Sequence, residues 1–124
     1  MKQKLSFQLF KNDKEIINSR GIDYHQQGKT IEFILDKEKY KLEYSEEKCY
    51  LCRYTDEFSF TISLKSDIKT INYMLIKENQ DINLSYKYLE YEFQDNEINI
   101  YFNLESDEED SHIRILKEED YNEK

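Results

Sequence analysis

The chain has 124 residues, a size typical of one domain, and a formal net charge of −9. It contains no proline and two glycines, Gly21 and Gly28. A dinucleotide-binding G-x-G-x-x-G loop, a P-loop and a G-x-S-x-G nucleophile elbow therefore cannot be drawn through it. Eleven Tyr and seven Phe supply enough large apolar side chains to exclude disorder, although 36% of residues are charged.

In chain order the dominant signal is period-two alternation, the pattern of half-buried strands. Leu5, Phe7 and Leu9 alternate with polar residues and end at the turn-like stretch Lys11 to Lys14. Ile31, Phe33 and Leu35 follow Gly28, and Tyr40, Leu42 and Tyr44 follow a second polar gap. Cys49 to Tyr54 reads as a strand with mixed character on both faces. Phe58, Phe60, Ile62 and Leu64 alternate again. Ile82, Leu84, Tyr86 and Tyr88 share one parity, whereas Leu89, Tyr91 and Phe93 share the other. One extra residue near Lys87 to Leu89 reconciles the two, so a β-bulge or sharp bend is expected there. Ile98, Ile100, Phe102 and Leu104 form the last long run, and Ile113 and Ile115 follow the acidic stretch Glu105 to Ser111.

The gaps are short and rich in Asn and Asp, which tolerate the left-handed backbone of tight turns. Short gaps join neighbouring antiparallel strands. No amphipathic helix is visible. The expected fold is a single all-β domain over 1–117, a closed antiparallel up-and-down barrel of roughly 8–10 strands, with a frayed acidic tail at 118–124. From Glu105 onward nine acids face three bases. No basic cluster stands out, so no nucleic-acid partner is expected. No apolar run approaches the roughly 20 residues of a membrane span. The first ten residues are too polar for a signal-peptide core. Two cysteines and no leader point to a reducing cytoplasm.

Few residues suggest chemistry. Cys49 and Cys52 have C-x-x-C spacing, but residues three apart on a strand diverge, so reduced, metal-free thiols are expected. His25 and His112 read as solvated loop residues, and no metal site or cofactor is expected. The acidic loop lacks the alternating spacing of a calcium loop and reads as a solvated hairpin. Tyr40, Tyr44, Tyr50, Tyr54, Tyr86 and Tyr88 are numerous enough to line a cavity, although core or rim placement is the more ordinary role of strand tyrosines, and Tyr44, Tyr54 and Tyr86 are singled out as cavity candidates. Arg53 shares parity with Cys49 and Leu51. It lies inside if that face is internal, with Glu43 or a tyrosine hydroxyl as candidate partner, and on the surface, the placement narrowly favoured, if the Tyr50/Cys52/Tyr54 face is internal.

The order of Gly21-Ile-Asp-Tyr24, Lys41-Leu-Glu-Tyr44, Tyr50-Leu-Cys-Arg53, Phe58-Ser-Phe60, the aromatic strand Glu97 to Leu104 and His112-Ile-Arg-Ile115 resembles the DUF1934 (YwiB-like) family of calycin-like β-barrels. The chain departs from that pattern at Phe102, where the family tends to have Tyr. The resemblance implies a lipocalin-like barrel and no established activity. The leading expectation is a non-catalytic binding module for a small molecule or a protein partner, with Arg53, Tyr44, Tyr54 and Tyr86 as ligand contacts. The alternatives are an enzyme with a polar site inside the barrel and an acidic regulator acting through residues 105–111.

Overall fold

The computed structural model describes residues 3–118. They form eleven strands and no helix: β1 (Lys4–Lys11), β2 (Lys14–Gln27), β3 (Thr30–Leu35), β4 (Glu38–Tyr44), β5 (Lys48–Tyr54), β6 (Phe58–Lys65), β7 (Ile68–Leu75), β8 (Gln80–Asn83), β9 (Tyr86–Gln94), β10 (Glu97–Leu104) and β11 (Ser111–Glu118). The expected tail begins one residue inside β11, and its residues 119–124 lie outside the described ones.

All eleven belong to one antiparallel sheet in the order β8-β7-β6-β5-β4-β3-β2-β1-β11-β10-β9. Consecutive strands are neighbours except at one point: β8 and β9 do not pair, while β1 and β11 do. The sheet is strongly curled into a half-barrel around one apolar core. The expected count of 8–10 strands was too low, and the expected closure is absent as a main-chain ladder. Its place is taken by a corner. The Leu84 N–H donates to the Ile71 carbonyl at 2.7 Å, prolonging the pairing of β8 with β7. The Ser85 carbonyl accepts from the Glu105 N–H at 2.9 Å, prolonging that of β9 with β10. One nearly continuous strand thus changes neighbours at Leu84–Ser85.

Turn chemistry follows from the missing glycines. Asn12 and Asp13, and then Asp36 and Lys37, have positive φ at consecutive positions, the backbone of type I′ hairpin turns. Gly28 (φ 64°) serves the β2–β3 turn. Gly21 (φ 68°) sits in a bulge where Leu5 pairs with Ile22 but Phe7 pairs with Ser19. A second irregularity at Ile16 lies between the pairs Leu9–Ile17 and Phe10–Glu15. Two bulges shift the parity of β2 twice, which is why its alternation is illegible in the sequence.

The bulge expected in β9 is present. Asn103 pairs with Tyr88 and Leu104 with Tyr86, leaving Lys87 as the extra residue. Leu84 and Tyr86 before it, and Leu89 and Tyr91 after it, all pack on the core. The core also contains Leu5, Leu42, Ile62, Ile71, Ile98 and Ile100, each no more than 1% exposed. Burial of each such side chain contributes on the order of 1.5–3 kcal/mol.

Deleting Lys87 forces either Leu84 and Tyr86 or Leu89 and Tyr91 to the outer face. Loss of the cooperative urea transition is the expected outcome, whereas Lys87→Ala should shift stability by less than about 0.5 kcal/mol. Equal urea midpoints for the deletion and the parent would show that the bulge is dispensable.

Candidate ligand-binding site

One cross-strand row organises the inner face. Tyr24, Phe33, Tyr40, Arg53, Phe60 and Tyr73 stand opposite one another in turn from β2 to β7. Register therefore settles what parity alone left open: Arg53 lies on the inner face, beside Leu51 and in line with Cys49. The Phe33 and Tyr40 rings stack at 4.9 Å with 6° between planes. Phe7 approaches Tyr40 at 5.3 Å. The Arg53 guanidinium carbon lies 5.4 Å from the Phe58 ring centroid and 5.6 Å from that of Phe60, within cation–π range.

The middle of this row borders a cavity of about 280 Å³ at the end of the half-barrel where β1 finishes and β11 begins. Phe7, Tyr40, Leu51, Arg53, Phe60 and Phe102 line it, together with Lys11 and Ser111. The lining is mostly apolar with a few convergent polar groups, the usual character of a small-molecule site. Its two cations differ. Lys11 Nζ is engaged by Asp107 Oδ2 at 3.1 Å. Arg53 Nε stands 3.6 Å from Glu38 Oε1, beyond hydrogen-bond range. That Nε has no contact with solvent and makes no hydrogen bond, although the side chain as a whole is 39% exposed. Burial pushes the Tyr40 phenol up, and the neighbouring Arg53 guanidinium opposes the shift.

Of the four residues singled out from the sequence, only Arg53 lines this cavity. Tyr44 faces inward at the opposite end, tilted against Phe93 at 5.8 Å with its hydroxyl donating to the Asp95 carbonyl. Tyr54 pairs with Lys39 and shares the outer face with Cys52. Tyr86 reaches across to the Lys69 carbonyl at 3.0 Å. Glu43 does not serve Arg53; it pairs with Lys48 at 2.9 Å. Phe7, Tyr40, Phe60 and Phe102 carry the wall instead. Their signal in the sequence was ordinary apolar alternation, which does not separate core from cavity.

The remaining candidates are accounted for locally. Cys49 is sealed in the core and burial pushes its thiol up to about 12. Cys52 lies on the other face of the strand and accepts a hydrogen bond from Thr61 Oγ1 at 3.4 Å. Both thiols are free. His25 is exposed near the end of β2. His112 is not the solvated loop residue expected: it lies within β11, half-buried, stacked between Phe10 and Tyr101 at 5.0 and 4.4 Å. Its Nε2 is 2.7 Å from Asn99 Oδ1. Among the described residues no group of three or more His, Cys, Asp and Glu side chains is arranged to hold a metal ion. No helix among them is long and apolar enough to cross a membrane.

The acidic loop is tied down. Asp110 accepts from Tyr88 Oη and from Asn103 Nδ2, each at 2.7 Å, and its backbone exchanges bonds with Asn12 at 2.9 Å. These donors hold the Asp110 carboxyl below its ordinary 3.8, as Lys11 and the Glu109 N–H do for Asp107. Arg114 and Asn99 likewise hold Glu97 below 4.5. Depressed carboxylates stabilise the fold above their unfolded values and lose that contribution as pH falls through the folded ones. Burial likewise holds the His112 imidazole below its ordinary 6.5, so thermal melts should show a midpoint that begins to fall below about pH 6.5 and declines further through and below 4.5 and 3.8. Asp110→Asn should flatten the acid limb; an unchanged limb would show that this carboxylate does not link loop and strand.

No known protein family matches the sequence, and no curated protein does. Among solved structures the chain is similar to the ywiB protein from Bacillus subtilis, with 7% identity, 94% of this chain and 90% of that chain covered, and a TM-score of 0.35. At that TM-score the likeness bears on none of the residues described above.

Proposed function

We propose that this chain is a non-catalytic, calycin-like binding barrel that holds a small anionic, largely apolar molecule in the cavity beside Arg53. One observation carries the reading: on the wall of an apolar cavity stands an arginine whose Nε is shut off from solvent and makes no hydrogen bond, its ion-pair partner Glu38 being 3.6 Å away. A buried donor without an acceptor costs about 1–3 kcal/mol. A carboxylate or similar anion would supply the missing acceptor through a charge-assisted bond. The Phe58 and Phe60 rings keep the cation from relaxing freely toward solvent, and Lys11 is already neutralised by Asp107. A volume of about 280 Å³ lies at the small end of the range for ligand pockets and fits a single ring with a short acidic arm better than a long chain.

The test uses phenylacetate and its neutral counterpart 2-phenylethanol, titrated into ¹⁵N-labelled protein. Phenylacetate should shift the Arg53 Nε–H resonance and the amides of Tyr40 and Phe60, and phenylethanol should bind roughly tenfold more weakly because it lacks the charge. Arg53→Gln should abolish the preference for the acid while leaving the weak binding of the alcohol. Neither compound perturbing the cavity, or both binding equally to the parent protein, would end the proposal.

A further inference from the structure

The corner at Leu84–Ser85 leaves two strand edges facing one another without a ladder. β9 pairs with β10 along its length and, among the described residues, with no strand on its other side. In β7, β8 takes Asn72 to Leu75 and Leu84 takes Ile71, so the edge before Ile71 is also free of strand pairing. From the corner the two edges diverge. Tyrosine hydroxyls span the gap in place of main-chain bonds: Tyr86 donates to the Lys69 carbonyl at 3.0 Å, and Tyr91 to the Ser45 carbonyl at 2.9 Å. Beyond the corner, no main-chain hydrogen bond among the described residues joins β9 to β7. The main-chain edge of β9 is therefore left available.

The slot beside it has a volume of about 350 Å³ and is lined by Glu46, Glu47, Leu64, Lys69, Glu90 and Tyr91. Edge strands are commonly guarded by Lys or Pro. β9 has no proline, its one lysine sits in the bulge, and the charges beyond it, Glu90 and Glu92, are acidic. Two β9 edges brought together would set these carboxylates against their own copies, which is unfavourable between paired strands. A basic strand meets three carboxylates in the slot, Glu46, Glu47 and Glu90, against the one cation Lys69.

We propose that the free edge of β9 is a docking surface for an extended, lysine- or arginine-bearing segment of another protein, which adds to the sheet as a further strand. Main-chain hydrogen bonds would supply affinity, and the carboxylates of Glu46, Glu47 and Glu90 would select the charge. The site is separate from the Arg53 cavity, which β9 does not line.

The probe is a short acetylated peptide alternating lysine and valine, added to the intact ¹⁵N-labelled protein. It should slow hydrogen exchange at amides within Tyr86–Gln94, and the effect should weaken as salt is raised. The same peptide N-methylated at alternate positions cannot complete a ladder and should not protect β9. The triple change E46K/E47K/E90K should weaken binding at least roughly tenfold, while Arg53→Gln should leave it unchanged. Three results would overturn the proposal: no protection at saturating peptide, equal binding of the N-methylated peptide, or a dimer in sedimentation whose β9 amides are protected without peptide. The second would show charge attraction alone, and the third would show a second copy of the chain as the occupant. The N-methylated comparison uses unmodified protein, so it decides even if the charge-reversed variant fails to fold.

Discussion

A single stretch of chain, residues 80–94, has to serve two neighbours in succession, and the shape of the molecule depends on it. Its first part completes the sheet beside β7, and its second part begins the sheet beside β10. With only Leu84 and Ser85 between them, the two ends of an eleven-stranded sheet cannot move far apart. The sheet must therefore curl, and curling turns every inward residue toward the same core. The bulge at Lys87 follows from this constraint, since a strand that bends at a corner must recover its inward parity beyond it. The facing edges and the slot between them follow as well.

The class of fold was legible because alternation is a local property. Leu5, Phe7, Ile31, Phe33, Leu42, Ile62, Ile98, Ile100, Ile113 and Ile115 all sit where period two places them. What escaped was whatever depends on pairing. β2 carries two bulges that scramble its parity. β7 exposes Ile68 while burying Ile71, so its apolar residues mark both faces. Closure could not be read either, because whether two edges meet is decided by the corner and by tyrosine hydroxyls rather than by any strand's own pattern. Arg53 shows the limit most clearly. Its strand has Leu51 on one face and Cys52 on the other, both buried, and only the register with Tyr40 and Phe60 assigns the inside. Tyr44, Tyr54 and Tyr86 have the composition of cavity residues, but register sends them to the far end, the outer face and the open edge.

Arg53 also shows how an inward charge is tolerated. Its guanidinium lies over the Phe58 and Phe60 rings, the side chain as a whole keeps part of its surface in solvent, and its ion pair with Glu38 is loose. Exposed pairs of this kind are worth about 0–1 kcal/mol. A fully buried pair would hold the fold rigid and would leave no donor for a ligand. The arrangement gives up a little stability by leaving the Arg53 Nε without a hydrogen bond on a side chain that borders a cavity.

The ladder between β1 and β11 joins Lys4 to Glu118 and runs unbroken to Lys11 and Ser111. The two strands of that ladder lie far apart in the sequence, so β1 is made long before β11. Until β11 has left the ribosome, β1 has one free edge and the core residues Ile113 and Ile115 are missing. Pairings this distant in sequence are slow to close and late to reward the chain for its lost entropy. A nascent chain of this protein thus carries an unfinished apolar sheet from the making of β1 until that of β11, the condition under which partly folded β-proteins aggregate. The acidic loop Glu105 to Asp110 is made just ahead of β11, placing mutual repulsion between neighbouring chains at the moment when that sheet is most exposed.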